Sequence, residues 1–297
     1  MHLELFAQEL KKVPMTGGFV QQIDILKERY GDEYVAVAEN ILQLFEVLGL
    51  DVVKTSRKYI FDYLKELDYF IKNQRYGHDD FDAIREKIYD NESTMLQTYM
   101  PGLLLSYAYT TILYEKNHVF LTEFLSRLSA GMKGIEVGFG EGFYMLETLQ
   151  QCPDVEMSGY DISPFAIEFA AEVLKAGNIS QNRYTLSYGN VFEGIDCADA
   201  SMDFAVLAEV IEHIPNPSKG IEEVVRTLHP GGILYLTTVI DSNHMDHISN
   251  FESPAVVEAL LKAANLEILS KKIYHMTDDF PESKDKSIGL AYVAEKM

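Results

Sequence analysis

Two carboxylates and one imidazole follow an apolar segment in the run "MDFAVLAEVIEHI", at positions 209, 212 and 213. A second polar run, "DSNHMDHISNF", adds His244 and His247. Glu209, Glu212 and His213, with one of these two histidines, would form an oxygen and nitrogen ligand set that suits a divalent cation. The imidazoles of His213, His244 and His247 would equally suit proton abstraction, because their unperturbed pKa is about 6.5. A third interpretation gives these groups only a structural role.

A glycine-rich turn, "IEVGFGEGF", follows a short apolar strand and opens a helix. Gly138, Gly140 and Gly142 let the backbone adopt positive φ and approach a ligand closely. Asp161, in "GYDIS", lies 23 residues after Gly138 at the end of the next predicted strand, where a carboxylate can bind both hydroxyls of a ribose. The third glycine comes one residue early for a dinucleotide pattern, and Glu136 does not suit a pyrophosphate. We therefore expect a nucleoside cofactor with a cationic amino-acid part, and an NAD-dependent oxidoreductase is the competing interpretation.

The periodicity of residues 126–297 predicts the scaffold that these groups need. Short apolar strands alternate with amphipathic helices, which predicts right-handed crossovers and a doubly wound, mostly parallel sheet of seven strands in the α/β class. Polar side chains at the carboxyl ends of such strands face the ligand crevice. The glycine turn and the loops after the fourth and fifth strands should therefore face one crevice.

Residues 1–125 show helical periodicity almost throughout, which predicts a separate all-α domain of five or six helices. Ser56 is the expected N-cap of one helix, and Gly102 is among the glycines expected to separate helices. Eleven of the 18 tyrosines lie in this part of the chain. They fit a lid or substrate pocket, and they equally fit helix packing or a homodimer interface.

Composition narrows the classes of partner. The net charge is −21, so neither nucleic acid nor an anionic membrane is an expected partner, because that affinity comes mostly from lysine and arginine. Two cysteines give no disulfide framework and fit a reducing cytoplasm. The N-terminus lacks the features of a signal peptide, and the most apolar stretch, 100–114, is shorter than the roughly 20 residues of a membrane span. We expect a cytoplasmic protein with a small-molecule substrate.

Taken in order, "EVGFGEG", "GYDIS", "YGNVFE", "MDFAVLAEVIEHI" and "LHPGGILYLTTV" resemble the motifs of class I S-adenosylmethionine-dependent methyltransferases, over residues 130–297. The resemblance implies a Rossmann-like fold with S-adenosylmethionine as cofactor. It places Asn190 and Val191 at the adenine, with Asn190 where the family more often has Asp. Leu207 and Ala208 would lie beside the cofactor. The full set of implied cofactor residues is Glu136, Gly138, Gly140, Gly142, Asp161, Ile162, Asn190, Val191 and Glu209.

The Glu-x-x-Glu-His arrangement with a later histidine is also similar to metal-dependent O-methyltransferases. That similarity implies Glu209, Glu212, His213 and His247 as metal ligands, with His244 as a substitute for His247. The implied function is O-methylation of a small molecule, assisted by a divalent metal or by a histidine base. The alternatives are an N- or C-methyltransferase without metal, and a non-catalytic subunit that only binds the cofactor.

Overall fold

The computed structural model describes residues 2–77, 80–242 and 244–297. Its strands are β1 (Lys133–Val137), β2 (Glu156–Asp161), β3 (Tyr184–Tyr188), β4 (Met202–Ala208), β5 (Leu228–Ile240), β6 (Leu266–His275) and β7 (Ile288–Lys296). They form one seven-stranded sheet in the order β3-β2-β1-β4-β5-β7-β6. Strands β1 to β5 pair in parallel and β7 is antiparallel to both neighbours, which confirms the predicted fold class. The strand order reverses between β1 and β4, where an open α/β sheet forms its ligand crevice.

The helices fall into one group before the sheet and one group between its strands. The first group is α1 (Leu3–Lys11), α2 (Gly17–Tyr30), α3 (Asp32–Val47), α4 (Val52–Asn73), α5 (Phe81–Ile84), α6 (Glu92–Thr94), α7 (Met100–Ser106) and α8 (Thr111–Val119), with π-helical turns at Arg85–Tyr89, Met95–Tyr99 and Phe120–Phe124 and a 3-10 turn at Leu125–Arg127. The second group is α9 (Phe143–Gln151), α10 (Pro164–Ala176), α11 (Pro217–Thr227), α12 (Pro254–Ala263) and α13 (Met276–Asp279), with a 3-10 turn at Gln181–Arg183.

The N-terminal part contains more helical pieces than the five or six predicted. Asp80 and Asn91 each accept hydrogen bonds from backbone N–H groups of the following turn, so each starts a new helix. Ser56 is not an N-cap, since Asp51 caps α4 by accepting a hydrogen bond from the backbone N–H of Lys54 at 2.9 Å. The hydroxyl of Ser56 instead donates to a backbone carbonyl inside the helix. Local capping residues therefore override the boundaries that periodicity predicts.

Gly102 lies inside α7 and does not separate two helices, contrary to the prediction. A Cβ atom at this position would lie 2.2 Å from the ring of Tyr59 in α4. The glycine therefore allows α4 and α7 to pack closely.

The N-terminal helices pack directly on one face of the sheet. Along β4, Phe204 and Val206 join the core cluster that contains residues of α1 to α5, α7 and α8, whereas Ala205 and Leu207 join the cluster on the opposite face. This alternation follows from the period of two along a strand. In β5, the hydroxyl of Tyr235 donates a hydrogen bond to a backbone carbonyl of α8 at 2.7 Å. The helical part and the sheet thus share one continuous core.

Among the described residues, no helix combines the length and the apolar composition that crossing a lipid bilayer requires.

Candidate functional site

The glycine turn after β1 has the backbone geometry that its sequence predicts. Gly138, Gly140 and Gly142 all have positive φ, between 50° and 79°. A Cβ atom at Gly138 would lie 2.6 Å from a side-chain methyl of Val210, so glycine is needed there for packing. A Cβ atom at Gly140 would have no protein atom within 4 Å. The turn therefore leaves open space beside Gly140.

Carboxylates surround this open space. Asp161 at the end of β2 accepts hydrogen bonds from the backbone N–H groups of Gly140 at 2.9 Å and Ser163 at 2.8 Å, which ties the two strand ends together. Burial raises the pKa of Asp161 to about 6 and that of Glu141 to about 8. Glu136 is 2% exposed, and one of its carboxylate oxygens has no hydrogen-bond partner. Burial, with the nearby charges of Glu141 and Asp161, raises the pKa of Glu136 well above its usual value.

The remaining predicted cofactor residues divide between the crevice and the core. Ile162, Asn190, Val191 and Ala208 all line the same cavity as the glycine turn. The side-chain oxygen of Asn190 already accepts a hydrogen bond from the backbone N–H two residues later at 3.0 Å, so only its second lone pair is available to a ligand. Leu207 is fully buried in the core on the opposite face of the sheet and does not reach the cavity.

Glu209 faces a buried cation that the sequence does not indicate. The Nζ of Lys116, in α8, donates to Oε2 of Glu209 at 2.5 Å, and the lysine side chain is 1% exposed. Glu209 has a φ of 54°, an unusual value for a side chain with a Cβ, and its other carboxylate oxygen has no hydrogen-bond partner. The predicted metal set includes Glu209, but the structure directs this carboxylate toward Lys116.

Asp246 is the centre of a buried network that joins the two halves of the chain. Its carboxylate accepts hydrogen bonds from the hydroxyls of Tyr89, at 2.8 Å, and Tyr99, both from the N-terminal helices. The Nδ1 atoms of His244 and His213 lie 2.8 Å and 3.3 Å from the same carboxylate. Asp246 is fully buried, so one carboxylate orients two of the three predicted catalytic imidazoles.

The three imidazoles have different environments. Burial disfavours the charged form of His213, but the charge of Asp246 and its hydrogen bonds outweigh that cost and raise the pKa of His213 to about 9. Burial, together with the positive charge of His213, lowers the pKa of His247 well below its usual value. The Nδ1 of His247 lies 2.5 Å from the backbone carbonyl of Ser242, which leaves Nε2 as its free atom. The sequence gives no means to separate these roles.

Two overlapping groups of side chains could hold a metal ion. Ligand atoms of Glu212, His213 and His247 lie within 4.8 Å of one another, and so do those of His244, Asp246 and His247. The first group suits a cation better, because one oxygen of the fully buried Glu212 has no hydrogen-bond partner. Both oxygens of Asp246 are already occupied by tyrosine and histidine donors. The first group retains three of the four predicted ligands and omits Glu209.

One cavity of about 420 Å³ connects the glycine turn, the Lys116–Glu209 pair and the histidine cluster. Its remaining walls come largely from the N-terminal helices, including Tyr59 of α4 and Tyr107 beyond α7. Several tyrosines of residues 1–125 thus line a pocket, which is the first interpretation of this segment. Others pack in the core, which is the second interpretation. A nucleoside ligand and a second small molecule would meet in this space.

A family model described as a methyltransferase domain matches residues 128–280. The chain belongs to the class I S-adenosylmethionine-dependent methyltransferases. This methyltransferase is 26% identical to a thiol S-methyltransferase of Mus musculus, TMT1B, over 144 residues that are 47% of the chain and 57% of the mouse protein. The match therefore spans little more than half the length of that curated relative.

Solved structures share the fold of this methyltransferase at low sequence identity. The [4+2]-cyclase SpnF aligns with a TM-score of 0.52 at 15% identity, over 80% of this chain and 96% of that chain. A S-adenosylmethionine-dependent methyltransferase of Methanosarcina mazei aligns with a TM-score of 0.50 at 20% identity, over 59% and 97% of the two chains. At these identities the likeness concerns the fold alone.

Several polar groups of the cavity are not among the site residues that the sequence predicts for this methyltransferase. Asp246 lies between the two histidines of "HMDH", so the sequence alone could indicate it as a hydrogen-bond partner for an imidazole. Glu141 likewise lies within the glycine turn. Lys116 and the tyrosines that bind Asp246 precede the residues that match the family, and only the packing of the helices on the sheet brings them to the site.

Proposed function

We propose that this methyltransferase transfers a methyl group from S-adenosylmethionine to a hydroxyl oxygen of a small molecule. The observation that supports this function is the single cavity that reaches both the glycine turn and the imidazole cluster. A donor held at the first and an acceptor held at the second would face each other. Orientation of this kind alone supplies about 7–11 kcal/mol toward a barrier.

The residues present fit S-adenosylmethionine, which supplies an electrophilic methyl group on a sulfonium. The unpartnered oxygen of Glu136 suits the ammonium of the methionine part, and Asp161 suits the ribose hydroxyls. The methionine carboxylate needs a cation, and Lys116 is the one lysine or arginine that lines the cavity among the described residues. We assign it that role in our proposal.

Replacing Gly140 with alanine tests whether the open space beside it holds the cofactor. We expect affinity for S-adenosylhomocysteine to fall about tenfold, because the added methyl group occupies the open space, while the positive φ costs about 1 kcal/mol of stability. Calorimetry and thermal melting measure the two effects. Gly49→Ala is the control, since Gly49 also has a positive φ, of 67°, would place its added Cβ with no protein atom within 4 Å, and does not line the cavity. Equal affinity in both variants would contradict this placement.

Cofactor affinity should rise with pH between about 6 and 8. The folded-state pKa values of Asp161 and Glu141, about 6 and about 8, lie above ordinary carboxyl values, so the cofactor-free protein loses stability as pH rises through them. A sulfonium and an ammonium favour the ionised carboxylates, so binding releases protons in this range. Calorimetry in buffers of different ionisation enthalpy measures that release. Glu141→Gln should reduce it, and a pH-independent affinity would refute the assignment.

His244 and Asp246 provide the base for a hydroxyl acceptor in this proposal. Nδ1 of His244 lies 2.8 Å from the carboxylate of Asp246, which favours a proton on Nδ1 and would leave the lone pair of Nε2 for a ligand in the cavity that His244 lines. Bound S-adenosylmethionine would supply the methyl group to the acceptor oxygen and leave as S-adenosylhomocysteine, while Nε2 of His244 would take the hydroxyl proton. The negative charge of Asp246 stabilises the imidazolium that forms.

We further propose that Glu212, His213 and His247 hold a divalent cation beside the acceptor. A bound cation would polarise the acceptor oxygen and lower its pKa. The donor set of two imidazoles and one carboxylate is common for zinc, iron and manganese. Manganese titration followed by electron paramagnetic resonance should show one site, which Glu212→Ala should remove without changing affinity for S-adenosylhomocysteine. No binding, together with full activity after chelation, would leave the imidazoles as the sole catalytic groups.

A thiol acceptor is the second candidate, because the related mouse protein is a thiol S-methyltransferase. Incubation with S-adenosylmethionine and either 4-ethylphenol or 4-ethylthiophenol separates the two functions. We expect the methyl ether as product, with His244→Ala lowering its formation far more than that of any thioether, since a thiolate forms without a strong base. Methylation of the thiol alone would overturn our assignment of the acceptor atom.

A further inference from the structure

The cavity is strongly acidic, and one of its carboxylates has no role in the function proposed above. Six carboxylates line it, against Lys116 as the one lysine or arginine among the described lining residues. Three surround the cofactor turn, one pairs with Lys116 and one holds the imidazoles. The sixth is Asp285, in the segment between α13 and β7. The six are Glu136, Glu141, Asp161, Glu209, Asp246 and Asp285.

Asp285 is a buried carboxylate without a counter-cation. It is 8% exposed, and its oxygens accept hydrogen bonds from the hydroxyl of Tyr63 at 2.6 Å and from the backbone N–H of Ser287 at 2.9 Å. None of the described lysines, arginines or histidines forms an ion pair with it, although Lys284 and Lys286 flank it in the sequence. Both lysines are exposed to solvent while Asp285 faces inward. The hydroxyl of Ser287 also donates to Asp285, so its oxygens are hydrogen-bonded while its charge faces no cation.

Aromatic rings surround the same part of the cavity. Phe19, Tyr63 and Phe280 line the same cavity as Asp285, and Tyr63 contacts it directly. The rings of Phe19 and Tyr63 meet edge to face with centroids 6.3 Å apart, and Phe19 meets Tyr109 in the same way at 5.6 Å. Aromatic faces beside a carboxylate favour an ammonium group, because the ring quadrupole and the charge attract a cation together.

Two tyrosines of α4 connect the imidazoles to Asp285 along one side of the cavity. The ring of Tyr59 lies 5.7 Å from that of His244, and Tyr63 follows one turn later in α4, about 6 Å along the axis. The hydroxyl of Tyr63 then reaches Asp285. Residues four positions apart lie on one face of a helix, so this face of α4 runs from His244 to Asp285 along the cavity.

We propose that Asp285 and its aromatic neighbours bind an ammonium group of the acceptor, so that the substrate is a hydroxyl-bearing aromatic amine. This inference rests on the proposed O-methyl transfer, with the hydroxyl at His244 and the amine at Asp285. The acidic lining disfavours acceptors that carry a carboxylate or a phosphate, since no free cation faces them among the described lining residues.

Three phenols of matched size test the proposal on the unmodified protein saturated with S-adenosylhomocysteine. Calorimetry with tyramine, 4-ethylphenol and 3-(4-hydroxyphenyl)propanoate compares a cation, a neutral molecule and an anion on one scaffold. We expect tyramine to bind at least about tenfold tighter than 4-ethylphenol, and the propanoate to bind weakest. If tyramine shows no advantage, or none of the three binds, the ammonium site is wrong.

Asp285→Asn should reduce tyramine affinity to that of 4-ethylphenol, because the amide keeps the shape and removes the charge. Asp154→Asn is the matched control, since Asp154 is exposed and lies outside the cavity. An unchanged tyramine preference in Asp285→Asn would also overturn the proposal. Methyl transfer to 4-ethylphenol without any tyramine preference would contradict only the ammonium site. Tyramine binding that depends on Asp285, without transfer to any hydroxyl, would contradict only the proposed reaction.

Discussion

Replacing Asp246 with asparagine should lower methyl transfer to a hydroxyl about a thousandfold. The carboxylate accepts hydrogen bonds from Tyr89 and Tyr99 and holds the Nδ1 atoms of His213 and His244. An amide N–H in its place would donate to an imidazole nitrogen and favour the wrong tautomer of His244. Single-turnover kinetics at saturating cofactor measure the effect, while affinity for S-adenosylhomocysteine should change by less than about threefold, because Asp246 does not contact the glycine turn.

Two further measurements separate orientation of the imidazoles from general loss of structure. Asp154→Asn, the same substitution on the exposed surface, should retain full activity. The pH profile of the remaining activity in Asp246→Asn should shift, because the imidazoles lose their shared counter-charge. A variant that keeps more than about a tenth of the activity with an unchanged profile would show that Asp246 only joins the helices to the loop.

Replacing Lys116 with methionine should weaken binding of S-adenosylhomocysteine roughly 10- to 100-fold, which corresponds to the loss of a charge-assisted hydrogen bond of about 1.5–3 kcal/mol. The reason is that Lys116 is the cation assigned to the methionine carboxylate. Binding of 5′-methylthioadenosine, which lacks that carboxylate, should change by less than about threefold. Calorimetry with both nucleosides gives the comparison directly.

The double variant Lys116→Met with Glu209→Gln controls for the unpaired carboxylate of Glu209 that Lys116→Met alone creates. Lys116→Met alone leaves Glu209 without its partner and should lower the melting temperature. The double variant should recover most of that stability, because neither charge remains, yet it should not recover affinity for S-adenosylhomocysteine. Recovery of both quantities would mean that Lys116 only neutralises Glu209 and does not contact the cofactor.

The sequence predicts the sheet well because its signals are local. Alternating apolar strands and amphipathic helices predict seven strands and their mostly parallel pairing, and the structure confirms both. Ser163 caps α10, as the following proline suggests. The N-terminal helices are predicted less well, since short polar side chains at Asp80 and Asn91 start new helices that periodicity does not mark. Gly102 serves a close approach between helices, which only the folded structure reveals.

In the candidate site, too, local sequence signals predict some residues and long-range packing places the others. The glycine turn and Asp161 follow strands directly, so their convergence can be predicted from topology alone. Glu209 lies outside the metal-ligand group of Glu212, His213 and His247. Its backbone conformation and its ion pair direct its carboxylate toward Lys116. Lys116 and Asp285 have no motif of their own, and long-range packing alone decides that they face the cavity.

In our proposal the cavity has a donor end at the glycine turn and an acceptor end at the imidazoles. Because the helices before β1 share their core with the sheet, different parts of the sequence determine these two ends. Short motifs specify the donor end apart from Lys116 of α8, whereas dispersed contacts of α4 and α7 contribute to the acceptor end. Substitutions at those contacts would therefore change substrate preference during evolution, while the site for the methyl donor stays the same. Conversely, transplanting the first 125 residues between homologues should carry acceptor choice only when the sheet face beneath them is exchanged as well.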